Sequence, residues 1–204
     1  GGRPGENTFN SDSDAEISIS GGYILINASG DGIDSNGSIS ISGGTLLVSG
    51  PESSGNGALD YQTQAVISGG TAILCGSAGM AQGFSSSSAQ ASFMYTLDSS
   101  ADAGSSVAVT DSSGTVIASF MPSKKYGSIV VSSPSLTVGA SYTVTIGGTV
   151  SDCDANGFAS SGAVTGGEES FSVELASVST SYGSYGGMGG PGGGGFGGRP
   201  GGMR

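Results

Sequence analysis

Apolar and small polar residues alternate in short runs through the first third of the chain, and these runs repeat. The first run of each repeat carries an apolar pair, at Ile17/Ile19, Ile39/Ile41 and Ala65/Ile67. After a Ser-Gly-Gly corner, a second run carries apolar pairs at matching offsets, at Ile24/Ile26, Leu46/Val48 and Ala72/Leu74. A period of two is typical of a β-strand with one face turned inward. The pattern therefore predicts a repeated strand–corner–strand unit.

The interval between repeats predicts how they stack. The Ile-Ser-Gly-Gly motifs begin at Ile19, Ile41 and Ile67, which are 22 and 26 residues apart. A short strand-and-turn unit at this interval is typical of a parallel β-solenoid with one coil per repeat. We therefore expect an all-β protein that begins with about three parallel β-helix coils. Equivalent residues would then stack about 4.8 Å apart.

One apolar row does not fit inside such coils. Leu25, Leu47 and Ile73 lie between the inward positions of the second strand, so alternation points them outward. An outward apolar row needs a cover. We expect either the C-terminal part of this chain or a neighbouring molecule to pack on that flank.

Changes in pattern divide the chain into four segments. Residues 1–10 form a Gly/Pro lead, 11–83 hold the coils, 84–180 indicate an antiparallel β-sheet unit, and 181–204 form a Gly-rich low-complexity tail. The strands predicted in the third segment are 92–97, 106–110, 115–121, 128–132, 141–146 and 170–178. Gly-Gly-Arg-Pro-Gly occurs in both the lead and the tail, which indicates one core unit between flexible connectors.

Composition limits the location and the partners of the protein. Glycine accounts for 41 of 204 residues and charged residues for only 10%, a balance typical of a secreted β-protein. No apolar stretch is long enough to span a membrane. The net charge of −11 argues against nucleic acid as a partner, because nothing would neutralise a run of phosphates.

Carboxylates recur at one position of the repeat and form the strongest site signal. Asp12, Asp34 and Asp60 each lie seven residues before an Ile-Ser-Gly-Gly motif. When stacked, they repel one another unless their pKa values rise or a cation binds between them. Oxygen donors of this kind suit Ca²⁺, either structural or bridging to a ligand. The candidate metal ligands are Asp12, Asp14, Asp31, Asp34, Asn36 and Asp60. The alternative is that these side chains only hydrogen-bond to turn backbone.

Sugar binding calls for aromatic rings and, for an acidic sugar, for cations. The chain has no Trp, so Tyr61 and Tyr126 are the candidate rings, and Lys124 and Lys125 are the candidate partners of uronate carboxylates. The alternative is that the tyrosines cap a sheet edge and the lysines are solvated.

We do not expect an enzyme. Without histidine no Ser-His or Cys-His pair exists, and a carboxylate row does not supply the facing pair of a glycoside hydrolase.

The two cysteines, Cys75 and Cys153, are an even number in a chain expected to be extracellular. One interpretation is a disulfide that ties the second half to the last coil. The other is that Cys75 is a small buried apolar residue and Cys153 a free thiol. Neither has a CxxC or histidine partner, so redox catalysis and zinc binding are not predicted.

Several segments resemble one protein family in their order along the chain. They include Asn-Ala-Ser-Gly-Asp-Gly-Ile-Asp-Ser-Asn-Gly at 27–37, Asn-Gly-Ala-Leu-Asp-Tyr at 56–61, Gly-Met-Ala-Gln at 79–82, Asp-Ser-Ser-Gly at 111–114, and the segments 122–126 and 130–134. Through them, residues 10–146 resemble the carbohydrate-binding domain-containing proteins, a family of secreted bacterial proteins. The resemblance implies a calcium-binding, right-handed parallel β-helix that binds acidic plant polysaccharide.

Two functional hypotheses follow. The first is a secreted, non-catalytic protein that binds acidic polysaccharide such as pectate at the cell surface with the help of Ca²⁺. The second is a subunit of an extracellular filament. A three-coil solenoid has open strand edges, and head-to-tail stacking of coils would satisfy them and propagate. The Gly-rich tail and the outward apolar row would then serve as docking elements.

Overall fold

The computed structural model describes residues 14–183, and every helix or strand assigned in that range is a β-strand. In chain order the strands are β1 (Glu16–Ile19), β2 (Tyr23–Asn27), β3 (Ile33–Ser35), β4 (Ser38–Ile41), β5 (Thr45–Ser49), β6 (Leu59–Tyr61), β7 (Gln64–Ile67), β8 (Thr71–Gly76), β9 (Ser92–Ala101), β10 (Val107–Thr110), β11 (Val116–Phe120), β12 (Tyr126–Ser132), β13 (Ser141–Ile146), β14 (Thr149–Val150), β15 (Val164–Thr165), β16 (Glu169–Glu174) and β17 (Ser179–Tyr182). The predicted all-β class is confirmed. Within this range there is no apolar helix of membrane-spanning length.

The repeats of the first third pair with one another in parallel. β1, β4 and β7 form a three-stranded sheet in which Ile17, Ile39 and Ala65 are register partners. β2, β5 and β8 pair in the same order, and β3 pairs with β6. Equivalent residues of successive repeats therefore lie side by side, as the repeat interval predicted.

The glycine corners allow the repeats to approach closely. Gly44 and Gly70 have φ values of 92° and 85°, a region that favours glycine. A Cβ at Gly44 would lie 2.7 Å from the backbone of the preceding corner, and one at Gly70 would lie 2.5 Å from the carbonyl oxygen of Gly44. A side chain at either position would push adjacent repeats apart, which explains the recurring Ser-Gly-Gly.

The second half of the chain extends the sheet that contains β2, β5 and β8. The strand order of this six-stranded sheet is β17-β9-β12-β8-β5-β2, with β12 antiparallel to both β8 and β9. The predicted boundary at 83/84 therefore falls in a connection, while the sheet continues across it. The predicted strand 170–178 is shorter than expected at its C-terminal end. β16 ends at Glu174, and β17 is a separate strand that pairs with β9 in parallel and includes the first two residues assigned to the tail.

Two hydrophobic clusters lie on opposite faces of the six-stranded sheet. Leu46 and Val48 belong to the cluster shared with β4 and β7. Leu47 belongs to the cluster shared with the four-stranded antiparallel sheet β11-β10-β13-β16. The six-stranded sheet is therefore a middle layer that is apolar on both faces, which requires a continuous apolar run in its strands.

This layering shows what covers the outward apolar row Leu25, Leu47 and Ile73. Leu47 and Ile73 are fully buried in the cluster that contains Phe93, Val109 and other residues of the second half. The C-terminal part of this chain is thus the cover, one of the two alternatives predicted. The cover over the first repeat is incomplete, because Leu25 remains 47% exposed.

A serine-rich segment closes the edge of the last repeat. Ser85 donates its backbone N–H to Ala65 O (2.7 Å), and its Oγ accepts from Ala65 N (3.1 Å). Ser88 Oγ accepts from Ile67 N (3.1 Å), and Ala89 N donates to Ile67 O (3.1 Å). At the opposite end, β1 and β2 each have one strand neighbour among residues 14–183. One end of the stack is therefore capped and the other is an edge.

The predicted disulfide does not form. Cys75 lies fully buried in β8 beneath the second half of the chain, and Cys153 lies in an exposed turn, where its thiol donates to Val150 O. Both are free thiols, as the alternative interpretation held. Burial raises the pKa of the Cys75 thiol, so it behaves as a small apolar side chain.

Candidate functional site

Two aspartates of the predicted row stand side by side. Asp34 in β3 and Asp60 in β6 are register partners, as their equivalent positions in the repeat predicted. Asp31, in the loop before β3, lies near enough to influence Asp60 electrostatically. We refer to Asp31, Asp34 and Asp60 as the carboxylate cluster. Asp12 lies outside the described residues.

The charges of the carboxylate cluster act on one another. Burial, followed by the negative charges of Asp31 and Asp34, raises the pKa of Asp60 above its ordinary value of 3.8. This is one of the two responses expected of stacked carboxylates, and a bound cation is the other. Within residues 14–183, no group of three or more His, Cys, Asp or Glu side chains is arranged to hold a metal ion. A calcium ion here would therefore draw further oxygen ligands from backbone, water or a bound molecule.

The other candidate metal ligands surround the cluster unevenly. Asn36 follows Asp34 by two residues, and both are exposed while Ser35 between them is buried, so they share the outward face. Asp14 is exposed in the turn before β1. Asp31 Oδ1 accepts a hydrogen bond from Gly57 N (2.8 Å), which is the backbone role weighed as the alternative to calcium binding.

The candidate sugar-binding residues do not form one surface. Tyr61 is half-buried and donates its hydroxyl to Gly83 O (2.8 Å). Tyr126 is only 1% exposed, and its hydroxyl donates to Ser105 O (2.9 Å). The expectation that Tyr126 offers a ring to a sugar is therefore wrong, because its ring belongs to the core between the sheets. Burial is also the first cause that raises the pKa of this tyrosine.

The two lysines occupy the connection between β11 and β12. Lys124 Nζ donates to Ala28 O (2.7 Å) and to Ser29 Oγ (3.0 Å), just after the end of β2. Lys125 is exposed, and its backbone N–H donates to Glu52 Oε1 (3.2 Å). Within the described part of the chain, both hydrogen-bond partners of the Lys124 ammonium are neutral, so no carboxylate there neutralises its positive charge.

A polar cluster at the start of β2 was missed by the sequence analysis. Tyr23 donates its hydroxyl to Asp154 Oδ2 (2.6 Å) and accepts from Asn156 Nδ2 (3.1 Å). Burial raises the pKa of Asp154, but hydrogen bonds from Tyr23, Phe158 N and Asn156 N outweigh it and hold this pKa below 3.8. The signal in the sequence is that Tyr23 occupies the position held by threonine in both later repeats.

Comparisons with known proteins do not assign a function to this site. No protein-family model, no curated protein and no solved structure matches this chain. The functional proposal therefore depends on the geometry and chemistry of the residues described above, together with the resemblance of the sequence segments given earlier.

Proposed function

We propose that this protein is a secreted, non-catalytic module that binds acidic polysaccharide such as pectate at the cell surface, with Ca²⁺ between protein and ligand. We further propose that residues 16–76 form a short right-handed parallel β-helix. The parallel register of the three repeats supports this fold assignment. The family resemblance over residues 10–146 supports the secreted location and the ligand class.

The observation that carries the function is the register pairing of Asp34 with Asp60. The two carboxylates lie on adjacent strands, and burial, followed by the negative charges of Asp31 and Asp34, raises the pKa of Asp60. A divalent cation would relieve that repulsion. Because Ca²⁺ takes about 6–8 oxygen ligands, a cluster of so few carboxylates would leave coordination positions for uronate carboxylates. Calcium would thus bridge the carboxylate cluster of the protein and the uronate carboxylates of the ligand, which otherwise repel each other.

The test is binding of polygalacturonate with calcium and then with excess chelator. We expect binding with calcium and its loss on chelation. The double variant Asp34→Asn/Asp60→Asn should lose calcium-dependent binding, whereas the control Asp102→Asn, at an exposed aspartate outside the cluster, should bind as the wild type does. Binding that survives chelation, or no binding by the wild type, would remove the calcium-bridging mechanism.

A filament subunit is the second candidate function. The edge strands β1 and β2, with Tyr23 and Leu25 exposed, favour a contact at that end of the stack. Head-to-tail stacking also needs a free edge at the other end, and segment 85–90 occupies it. A filament would thus require a different second surface. The Gly-rich tail proposed for docking lies outside the described residues from 184 onward.

A further inference from the structure

We propose that a groove beside β2 is a subsite for a short oligosaccharide of uronic acids. The groove runs between β2 and the connection that leads from β11 to β12. Its volume is about 80 Å³, and its lining includes Leu25, Asn27, Met121, Ser123 and Asn156. This inference rests on the proposed polysaccharide binding and assigns part of it to residues outside the carboxylate cluster.

Exposed apolar side chains concentrate around this groove. Of the large apolar residues that are exposed within residues 14–183, Tyr23 and Leu25 (each 47% exposed) and Met121 (44%) lie at or beside it. Tyr23 and Leu25 project from the same face of β2 because they are two residues apart. The Tyr23 ring is fixed edge-on against Phe158, at a centroid distance of 6.0 Å. An apolar floor with a rigid ring suits the C–H faces of pyranose sugars.

Hydrogen-bonding side chains line the same groove at both ends. Asn27 Nδ2 donates to Ser123 Oγ (2.8 Å), and the Ser123 hydroxyl also lies 3.2 Å from Ser49 Oγ. At the other end, Asn156 is fixed by its hydrogen bond to Tyr23. Amides and hydroxyls held in place by these hydrogen bonds suit the hydroxyl groups of a short sugar chain.

Charge gives the groove a polarity. Lys124 and Lys125, the only lysines of the chain, directly follow Ser123. Lys124 N also donates to Ser49 Oγ (3.1 Å), which ties the lysines to the groove wall. Asp154 stands at the opposite end. In a molecule with a net charge of −11, this lysine end is where a uronate carboxylate would be attracted.

The size of the groove favours a saccharide over a protein partner. A stable protein interface buries about 800 Å² on each side and centres on tightly packed apolar anchors. Here the groove is small, and its apolar side chains alternate with amides and hydroxyls.

The first experiment locates binding directly. ¹⁵N–¹H NMR spectra of the wild type would be recorded in calcium during a titration with trigalacturonate, and again with the neutral cellotriose. We expect trigalacturonate to shift the amide signals of Leu25, Asn27 and Ser123, with a much smaller effect of cellotriose. Shifts confined to the carboxylate-cluster loops would overturn the groove assignment.

Variants then separate this inference from the proposed function. Leu25→Ser and Lys124→Gln should each weaken trigalacturonate binding, by roughly tenfold for Leu25→Ser if its buried CH groups contribute as usual. Val138→Ser is the matched control, because Val138 is 46% exposed and does not line the groove. Thermal unfolding of each variant checks that the fold is retained.

The outcomes distinguish the two proposals. If Asp34→Asn/Asp60→Asn loses binding while Leu25→Ser and Lys124→Gln bind as the wild type does, the groove is wrong and the calcium mechanism stands. If the wild type binds no trigalacturonate in calcium, both fail. A concentration-dependent dimer that Leu25→Ser abolishes would show a second copy on this face and would also overturn the groove assignment.

Discussion

Leu25 and Leu47 are chemically identical residues at equivalent positions of the repeat, yet their surroundings differ completely. They are register partners on β2 and β5, but Leu25 is 47% exposed and Leu47 is fully buried. The difference arises because the second half of the chain covers β5 and β8 completely, whereas on β2 it contacts Tyr23 and Asn27 and leaves Leu25 half exposed. The pair therefore separates the effect of burial from that of residue type.

This pair yields a stability prediction with its own control. Leu47→Ala should lower the free energy of unfolding by about 2–5 kcal/mol, because it opens a cavity between two sheets. Leu25→Ala should change it by no more than about 0.5 kcal/mol, as is usual for a surface substitution. Chemical denaturation measures both. Equal losses for the two variants would contradict the layered arrangement.

At Asp60 the prediction concerns pH. A folded-state pKa above the ordinary value of 3.8 means that folding favours the protonated carboxyl. Its contribution to stability is present below pH ~4 and is lost as the pH rises through the folded-state pKa. In chelator, Asp60→Asn should therefore be more stable than the wild type at neutral pH, by only about a few tenths of a kcal/mol because solvent screens this partly exposed carboxyl.

Melting temperatures at several pH values, in calcium and in chelator, measure this effect. The advantage of Asp60→Asn in chelator should shrink as the pH falls through the folded-state pKa and be lost below pH ~4, where the wild-type carboxyl becomes protonated in both states. In calcium the order should reverse at neutral pH, since the variant loses a metal ligand. If the melting temperature of the wild type is the same in calcium and in chelator, the metal assignment at Asp60 is contradicted.

At the scale of elements, the serine segment 85–90 acts as the cap of the last repeat. Ser88→Ala should lower the free energy of unfolding by about 1–3 kcal/mol, because the buried backbone N–H of Ile67 loses its hydrogen-bond acceptor. Ser87→Ala is the control, since the Ser87 hydroxyl makes an exposed hydrogen bond to Gln64. Denaturation of both variants tests the cap. A Ser88→Ala variant as stable as the control would show that water replaces the hydroxyl.

The elements also show which part of the fold the sequence could predict. Pairing of the repeats followed from short-range patterns, namely the period of two and the recurring corner glycines such as Gly44. The cap could not be predicted, because serines such as Ser88 look the same in a cap as in a solvated loop. The parallel pairing of β17 with β9 joins residues far apart in sequence, and no local pattern specifies such a partner.

The candidate site was predictable to a similar extent. The pairing of Asp34 with Asp60 depends only on the repeat, so the sequence was sufficient. The environment of Tyr126 depends on two strands that flank β12 from distant parts of the chain, and the neighbouring lysines suggested a surface position. Tyr23 was overlooked because its partner Asp154 lies 131 residues away.

At the scale of the whole molecule, the two ends of the repeat stack are not equivalent. The last repeat is covered by segment 85–90 and continues into the second half through β12, whereas β1 and β2 are edge strands. Within residues 14–183, the outer edges of β7 and β8 at one end of the stack are therefore occupied, whereas those of β1 and β2 at the other end have no strand neighbour. A polymer built from coil ends needs two complementary edges on every subunit.

This asymmetry predicts the outcome of negative-stain electron microscopy. The purified chain, at high concentration in calcium and then in excess chelator, should give discrete particles under both conditions, because the capped end offers no edge for the next subunit. Regular filaments would mean that another surface propagates the contact. If such filaments were lost on chelation, calcium would lie between subunits, and the carboxylate cluster would serve assembly in place of sugar binding.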